Sequence, residues 1–361
     1  MRVLVLSKYD RLAASTRVRF LQYAPYLAEH GFELTLSPLF SDAYLQERFR
    51  SNRTPPRAVV AAYARRLHAL FSVTRWDLAM VHYELFPYLP GMLERALTAL
   101  RMPYVYDFDD AIFHMYDQHQ RPLVRRLLGQ KLGPILSGAS AVIAGSRYLA
   151  QYAQRFNAEV HQVPTVVDMD RYSVRSPSKD DDRASPLTVG WIGSPSTSAY
   201  LAPIAPALER FAARHGGLRL VAVGARPFEI PGVEVDVRPW SEATEIRDLH
   251  EADVGIMPLP DEPWARGKCA FKLIQYMAVG LPTVASPVGA NNDVVTPNTG
   301  LMATTTDEWV RALEKLHADP ALRHRMGQTG RQRVIEHYSV ASQRETVRQI
   351  LAGAVEAAAR R

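Results

Sequence analysis

Short apolar, β-branched runs recur along this chain, each followed by a longer stretch in which apolar residues return every three or four positions. In the first half the short runs fall at residues 2–7, 33–37, 78–82, 104–106, 141–144 and 160–163. Their length and β-branched content predict strands. The amphipathic stretches 18–30 and 150–156 predict helices between them. Residues 173–186 interrupt the pattern with Ser-Pro-Ser-Lys and three successive aspartates, Asp180 to Asp182, the composition of an exposed linker. The pattern restarts at 187–193 and continues at 218–223, 233–237, 253–257 and 282–285. Residues 319–338 and 340–359 then read as helix throughout, more than one domain needs to close its sheet. Strands alternating with helices imply parallel sheets covered on both faces, so each half predicts a doubly wound α/β domain. Ligands in such sheets bind at the carboxyl ends of the strands, which predicts a central cleft faced by both domains.

The 361 residues, 47% hydrophobic and 22% charged, describe a folded chain of about two domains at roughly 150 residues each. No stretch approaches the about 20 apolar residues that a bilayer crossing needs, and the apolar run at the start is too short for a signal peptide. A lone Cys269 excludes an intrachain disulfide framework and a cysteine-cluster metal site, so the cytoplasm is the expected compartment. The net charge of +6 belongs wholly to the first half. Residues 1–186 carry 24 Lys/Arg against 18 Asp/Glu, while residues 187–361 carry 19 of each. Within residues 44–75, arginines 48, 50, 53, 57, 65, 66 and 75 face one acid, Glu47. This is either a solvated helical face or a surface for something anionic, such as a membrane or a phosphorylated acceptor. Nucleic acid is not expected, because no binding motif for it accompanies the charge.

The most informative stretch runs Val254-Gly255-Ile256-Met257, then Arg266-Gly267-Lys268-Cys269-Ala270-Phe271-Lys272-Leu273-Ile274-Gln275-Tyr276-Met277-Ala278-Val279-Gly280-Leu281-Pro282-Thr283-Val284-Ala285. It predicts a strand, a loop, a helix ended by Gly280 and a further strand. Lys268 and Lys272 are four apart, which on a helix puts both on one face beside its N-terminus, a natural pyrophosphate site. The plainer alternative is a surface helix with solvated lysines.

This stretch resembles the donor-binding signature of retaining glycosyltransferases of the GT-B fold, family 4 in the carbohydrate-enzyme classification. The resemblance spans nearly the whole chain. It includes the opening strand, Gly31-Phe32-Glu33-Leu34-Thr35, Ala144-Gly145-Ser146, Pro164-Thr165-Val166-Val167-Asp168, Gly190-Trp191-Ile192-Gly193-Ser194 and Pro287-Val288-Gly289, and it is most specific over residues 276–285. It implies an acceptor-binding Rossmann-like domain at 1–180, a donor-binding one at 187–339, and a C-terminal helix, 340–361, packing back on the first. It also implies a hexosyltransferase-type enzyme that moves a sugar from a nucleoside-diphosphate sugar to a hydroxyl of a glycan or lipid-linked acceptor with retention of configuration. Polysaccharide, glycolipid or other glycoconjugate synthesis is the expected setting. No cofactor and no metal are required in that family.

Many relatives carry two glutamates eight apart, at the positions held here by Gly267 and Gln275. Gln275 keeps hydrogen-bonding capacity for a ribose hydroxyl, whereas Gly267 offers none. The usual glycine-rich first loop is replaced by Ala13-Ala14-Ser15-Thr16-Arg17-Val18-Arg19, and the usual cation pair after the first C-terminal strand by Ser194-Pro195-Ser196-Thr197. The donor-binding candidates are thus Ser15, Arg17, Gly193, Ser194, Trp240, Lys268, Lys272 and Gln275. Trp240 would either stack on the base or pack in the core. Asp107-Phe108-Asp109-Asp110 ends a strand. Its carboxylates would orient acceptor or sugar hydroxyls, cap a helix or pair with an arginine, or hold a metal. The catalytic candidates are Asp109, Asp110 and Lys272, and the acceptor contacts His82 and Asp109. Three other outcomes stay open: a catalytically degenerate partner subunit or nucleotide-sugar binding protein, a nucleotide-sugar epimerase, and peripheral attachment to the inner face of the cytoplasmic membrane.

Overall fold

The computed structural model describes residues 1–51, 56–174 and 186–359. Its chain forms two compact units. The first comprises Met1–Val166, Arg266–Cys269 and Gln343–Arg361; the second comprises Val167–Ala265 and Ala270–Ser342.

The first unit holds strands β1 (Arg2–Leu6), β2 (Glu33–Leu36), β3 (Leu78–His82), β4 (Tyr104–Phe108), β5 (Ala141–Ala144) and β6 (Val160–Gln162). They form one sheet in the order β2-β1-β3-β4-β5-β6, with every neighbouring pair parallel. β3 and β4 are buried along their whole length, as central strands covered on both faces must be. After β1 the chain steps to one side to make β2, then returns to the other side for β3, so β1 and β3 flank the point where the strand order reverses. The predicted helix 18–30 is broken into Ala14–Arg19, a 3₁₀ turn Leu21–Tyr23, and Ala24–Glu29. Pro25, which has no backbone N–H, sits in the first turn of the last piece, where no donor is needed.

The second unit repeats the plan with β7 (Thr188–Ile192), β8 (Arg219–Val223), β9 (Glu234–Arg238), β10 (Val254–Met257), β11 (Thr283–Ala285) and β12 (Gly300–Met302). The order is β12-β11-β10-β7-β8-β9, again all parallel. Here the order reverses between β7 and β10. These two strands pair only through Val254↔Val189 and Gly255↔Gly190. Beyond that, the hydroxyl of buried Tyr276 takes over. It donates to the Ile256 carbonyl at 3.2 Å and accepts from the Ile192 N–H at 3.0 Å. The Tyr276 ring lies so close to Gly255 that any Cβ there would overlap it, which is why the strand carries a glycine at that point.

The division between the units falls after Val166, ahead of the expected boundary. Residues 167–172 join the second unit because the Val167 N–H donates to the Tyr338 carbonyl at 3.0 Å and Tyr172 is buried in that unit's core. Most of the expected linker 173–186 lies outside the described residues. The C-terminal helix Val340–Ala359 is grouped from Gln343 onward with the first unit. Tyr26 donates to Glu345 at 2.8 Å there, and Arg344 sits 4.5 Å above the Tyr26 ring.

Candidate active site

In the second unit the candidate residues gather at the carboxyl ends of β7, β8 and β9. Gly193 follows β7, and a Cβ there would come 2.6 Å from the Lys272 Nζ as well as overlapping the Trp191 ring. The Lys272 ammonium sits 4.0 Å from the centre of the Trp191 ring, a cation–π contact with a side chain that is itself buried. Lys272 is the second residue of the helix Phe271–Ala278, which Ala270 enters through a left-handed turn with φ 55°. Its charge therefore adds to the positive end of the helix dipole. Lys268 lies before this helix starts, so the expectation of two lysines on one helical face is corrected. The left-handed residue at Ala270 ends the reach of helical geometry, and the Lys268 Nζ turns to Asp110 at 2.9 Å within the first unit.

Ser194 follows Gly193 in a self-bonded loop, its N–H donating to Thr197 Oγ1 at 3.1 Å and its hydroxyl 2.9 Å from that of Ser196. Trp240, after β9, is half-buried, and its Nε1–H donates to Glu245 at 2.9 Å. Glu245 is the centre of a network that sequence inspection missed. Tyr172 donates to it at 3.4 Å, and the Gln275 amide donates to the Tyr172 hydroxyl at 2.9 Å and to Glu245 at 3.5 Å. Gln275 is buried, so its amide N–H groups are committed inside the unit. Burial, and then the neighbouring Glu245 charge, push the Tyr172 hydroxyl well above its ordinary pKa, so it stays a neutral donor.

In the first unit the chemistry collects where β3 and β4 end. Asp107 is bound by Arg19, whose Nε and Nη2 donate to its two oxygens at 3.0 and 2.7 Å. Both groups are buried, and Arg19 also donates to the Val163 carbonyl at 2.9 Å. Asp107 is thus an ion-pair partner, and Arg19, which no motif singled out, anchors the strand end. Asp109 accepts from Tyr83 Oη and lies 3.4 Å from His82 Nε2, both contacts falling on its Oδ1. Burial alone would raise the Asp109 carboxyl, but His82, Arg19 and Tyr83 outweigh it and lower its pKa to about 2. Burial pushes Asp110 the other way, with Lys268 opposing and Asp109 adding to the rise. Two adjacent carboxyls are thereby driven apart in acidity, the pattern of sites where paired acids divide their roles.

His82 is fully buried, packed edge-on against Phe20 and stacked on Tyr83. The structure therefore brings it to the site only through Asp109, and direct contact with an acceptor is not what its position allows. Arg17 turns back on its own loop, donating to the carbonyls of Arg11 and Leu12 at 2.8 Å, and Ser15 is half-buried in the helix Ala14–Arg19. The segment Arg266–Cys269 is closely fitted to the β4 end. A Cβ on Gly267 would overlap Ala111, and the Cys269 thiol donates to the Asp109 carbonyl at 3.0 Å. Burial raises that thiol's pKa well above normal, so Cys269 is a packing residue. Among the described residues, no group of three or more His, Cys, Asp and Glu is arranged to hold a metal ion.

Residues 187–319 match the family described as Glycosyl transferases group 1. No curated protein matches the chain. Among solved structures, the sucrose-phosphate synthase of Thermosynechococcus elongatus superposes with a TM-score of 0.68 at 16% identity, covering 99% of this chain and 100% of that one. HepE of Anabaena, in complex with UDP and glucose, gives 0.70 at 14% identity over 98% and 99% of the two chains. The catalytic domain of starch synthase IV from Arabidopsis thaliana, bound to ADP and acarbose, gives 0.69 at 11% over 98% and 99%. At these identities the likeness establishes the fold, two Rossmann-like domains of the GT-B class across the whole chain.

Proposed function

We propose, from a glycosyl transferases group 1 domain set within a GT-B fold, that this chain transfers a sugar from a nucleoside-diphosphate sugar to an acceptor hydroxyl with retention of configuration. The observation that carries the proposal is the Lys272 ammonium beside Gly193, at the strand-order reversal of the second unit and at a helix N-terminus. Only glycine leaves room for that ammonium, so a fixed cation stands at the carboxyl end of β7 where a diphosphate would lie. Trp240, half-buried after β9 and held by Glu245 through its Nε1–H, is the surface we assign to the base, with the buried Tyr172–Gln275 pair bracing Glu245 behind it. HepE is solved with UDP-glucose, and a nucleoside-diphosphate hexose is the donor class we assign here.

The chemistry we assign is electrostatic. As the bond from sugar C1 to the diphosphate breaks, charge grows on the departing oxygen, where Lys272 and the helix dipole are already oriented. The acceptor oxygen forms the new bond to C1, and its proton passes to the departing diphosphate. No metal and no strong general base have a part in this scheme. The first unit supplies Asp109 and Asp110 for acceptor hydroxyls.

A lipid-linked acceptor is supported by the helix Pro56–Phe71. Val60, Leu67 and Phe71, on one face of it, are exposed by 70, 47 and 85%, and exposed Arg57 and Arg65 accompany them. Arg66 does not belong to this surface, being buried with its guanidinium on the Ser7 carbonyl at 2.6 Å, and Arg53 lies outside the described residues. No helix among the described residues is long and apolar enough to cross a membrane. A cytoplasmic chain attached peripherally to an anionic membrane face is therefore the setting proposed.

The test is a melting-temperature screen across UDP-, GDP- and ADP-hexoses, followed by release of nucleoside diphosphate from whichever donor stabilises the chain. Stabilisation with turnover supports the proposal. Stabilisation without turnover makes the chain a nucleotide-sugar binding protein, and donor conversion without release makes it an epimerase.

A further inference from the structure

We propose that Tyr83 is a positioning residue that fixes Asp109 so that its carboxylate accepts a hydrogen bond from an acceptor O–H that keeps its proton, an inference that rests on the glycosyltransferase reading. Consecutive residues of a strand send their side chains to opposite faces, yet His82 and Tyr83 stack on one another, with ring centres 3.7 Å apart and planes at 28°. The backbone shows how. Tyr83 has φ 69°, and the Glu84 N–H donates to the His82 carbonyl at 3.0 Å. That is a three-residue turn of the rare, strained, positive-φ kind. It swings the Tyr83 side chain onto the His82 side of the β3 end, where both reach the same carboxylate oxygen, Asp109 Oδ1.

Backbone strain at a bulky residue persists where the surroundings over-determine it, and an observed outlier of this kind beside ionisable groups points to function. What the turn achieves is a carboxylate with one oxygen pinned twice. Asp109 keeps a side-chain exposure of 14%, and with Oδ1 engaged by the clamp, Oδ2 is the oxygen we assign to substrate. The groups around it are His82, Tyr83, Arg19, Asp110 and Cys269, and the first three keep it ionised, so it accepts a hydrogen bond at any working pH. In the transfer step an acceptor O–H that keeps its proton donates to this carboxylate, while the attacking hydroxyl's oxygen bonds to C1 and gives up its own proton. The C1–diphosphate bond breaks, and the proton leaves on the diphosphate.

The experiment is a double-mutant cycle on the full chain. It measures nucleoside-diphosphate release from UDP-glucose, GDP-mannose and ADP-glucose, with octyl β-glucoside and water as acceptors. Tyr83→Phe keeps the stacked ring and removes the hydroxyl. It should lower kcat by roughly tenfold, the effect of one hydrogen bond to a charged group, with donor KM and melting temperature close to wild type. Asp109→Asn should cost more, and the double variant should be no slower than Asp109→Asn alone, because Tyr83 acts through Asp109. Losses that multiply in the double variant, or a Tyr83→Phe enzyme as fast as wild type, would overturn the inference while leaving the transferase reading standing. A wild-type chain that releases nothing from any donor overturns that reading itself, and the inference with it.

Discussion

Removing the Lys272 charge is the sharpest perturbation available. A hydrogen bond to a charged partner contributes about 1.5–3 kcal/mol, and at about 1.4 kcal/mol per decade that is a ten- to hundredfold change in kcat/KM. The structure favours the upper part of that range. The ammonium rests on the face of buried Trp191, 4.0 Å from the ring centre, and against Gly193, so its position is set before substrate arrives and little ordering remains to be done. In the proposed transfer, charge accumulates on the diphosphate as the C1 bond breaks, so the loss should fall mainly on kcat. Lys272→Ala also removes a stem that packs, and Lys272→Met separates the two effects by keeping most of the stem without the charge. Both variants should lose kcat/KM alike, with melting temperatures within a few degrees of wild type. Gly193→Ala should reproduce the loss from the other side, because its Cβ would displace the ammonium. Steady-state kinetics on the donor found by screening is the assay. If Lys272→Met and Gly193→Ala both retain wild-type kcat/KM, the diphosphate is bound elsewhere and the reasoning from the strand-order reversal fails.

Three further outcomes are expected. Tyr276→Phe should destabilise by about 1–3 kcal/mol, the cost of leaving the Ile192 N–H buried without a partner, and should speed hydrogen exchange in the 188–192 peptide; unchanged exchange there would contradict the bridging role. Arg19→Ala should cost about 3–5 kcal/mol by stranding the Asp107 charge, read by urea unfolding of the full chain, and Arg19→Met with Asp107→Leu should recover most of it. Vesicles containing phosphatidylglycerol should sediment the protein at low salt and release it at high salt, since each basic residue near the surface contributes about 1 kcal/mol; equal behaviour with neutral vesicles would remove the membrane assignment.

The alternation of apolar runs made both sheets legible. Strands 78–82 and 141–144 coincide with β3 and β5, and most others differ by a residue or two at the ends. The edge strand β12 escaped because three residues, Gly300–Met302, carry too little pattern to distinguish from a loop. The helix over 18–30 was over-extended because a 3.6-residue period survives a 3₁₀ turn and a restart at Ala24. Among the candidate site residues of the two units, Lys272, Gly193 and Asp109 were legible as residue types at strand and helix ends. The placement of Lys268 was not, since a left-handed residue at Ala270 leaves no mark when the residue is alanine. Tyr83, Arg19 and Glu245 were invisible for a common reason. Each acts through a partner 26, 88 or 30 positions away, Asp109, Asp107 and Gln275, and a single sequence holds no record of such pairings.

The second unit begins and ends at neighbouring points. Val167 bridges Ser339 in a parallel pair, and the Val340 N–H donates to the Val167 carbonyl at 3.0 Å. In chain topology it is thus an insert carried by the first unit, entered and left at one place, with only Arg266–Cys269 returning to the host. Such an insert is a transplantable cassette. The continuous span 167–342 carries Arg266–Cys269 with it, so a transfer of the span moves that piece of the first unit too. Exchange of that span between relatives needs only two junctions, in evolution as at the bench.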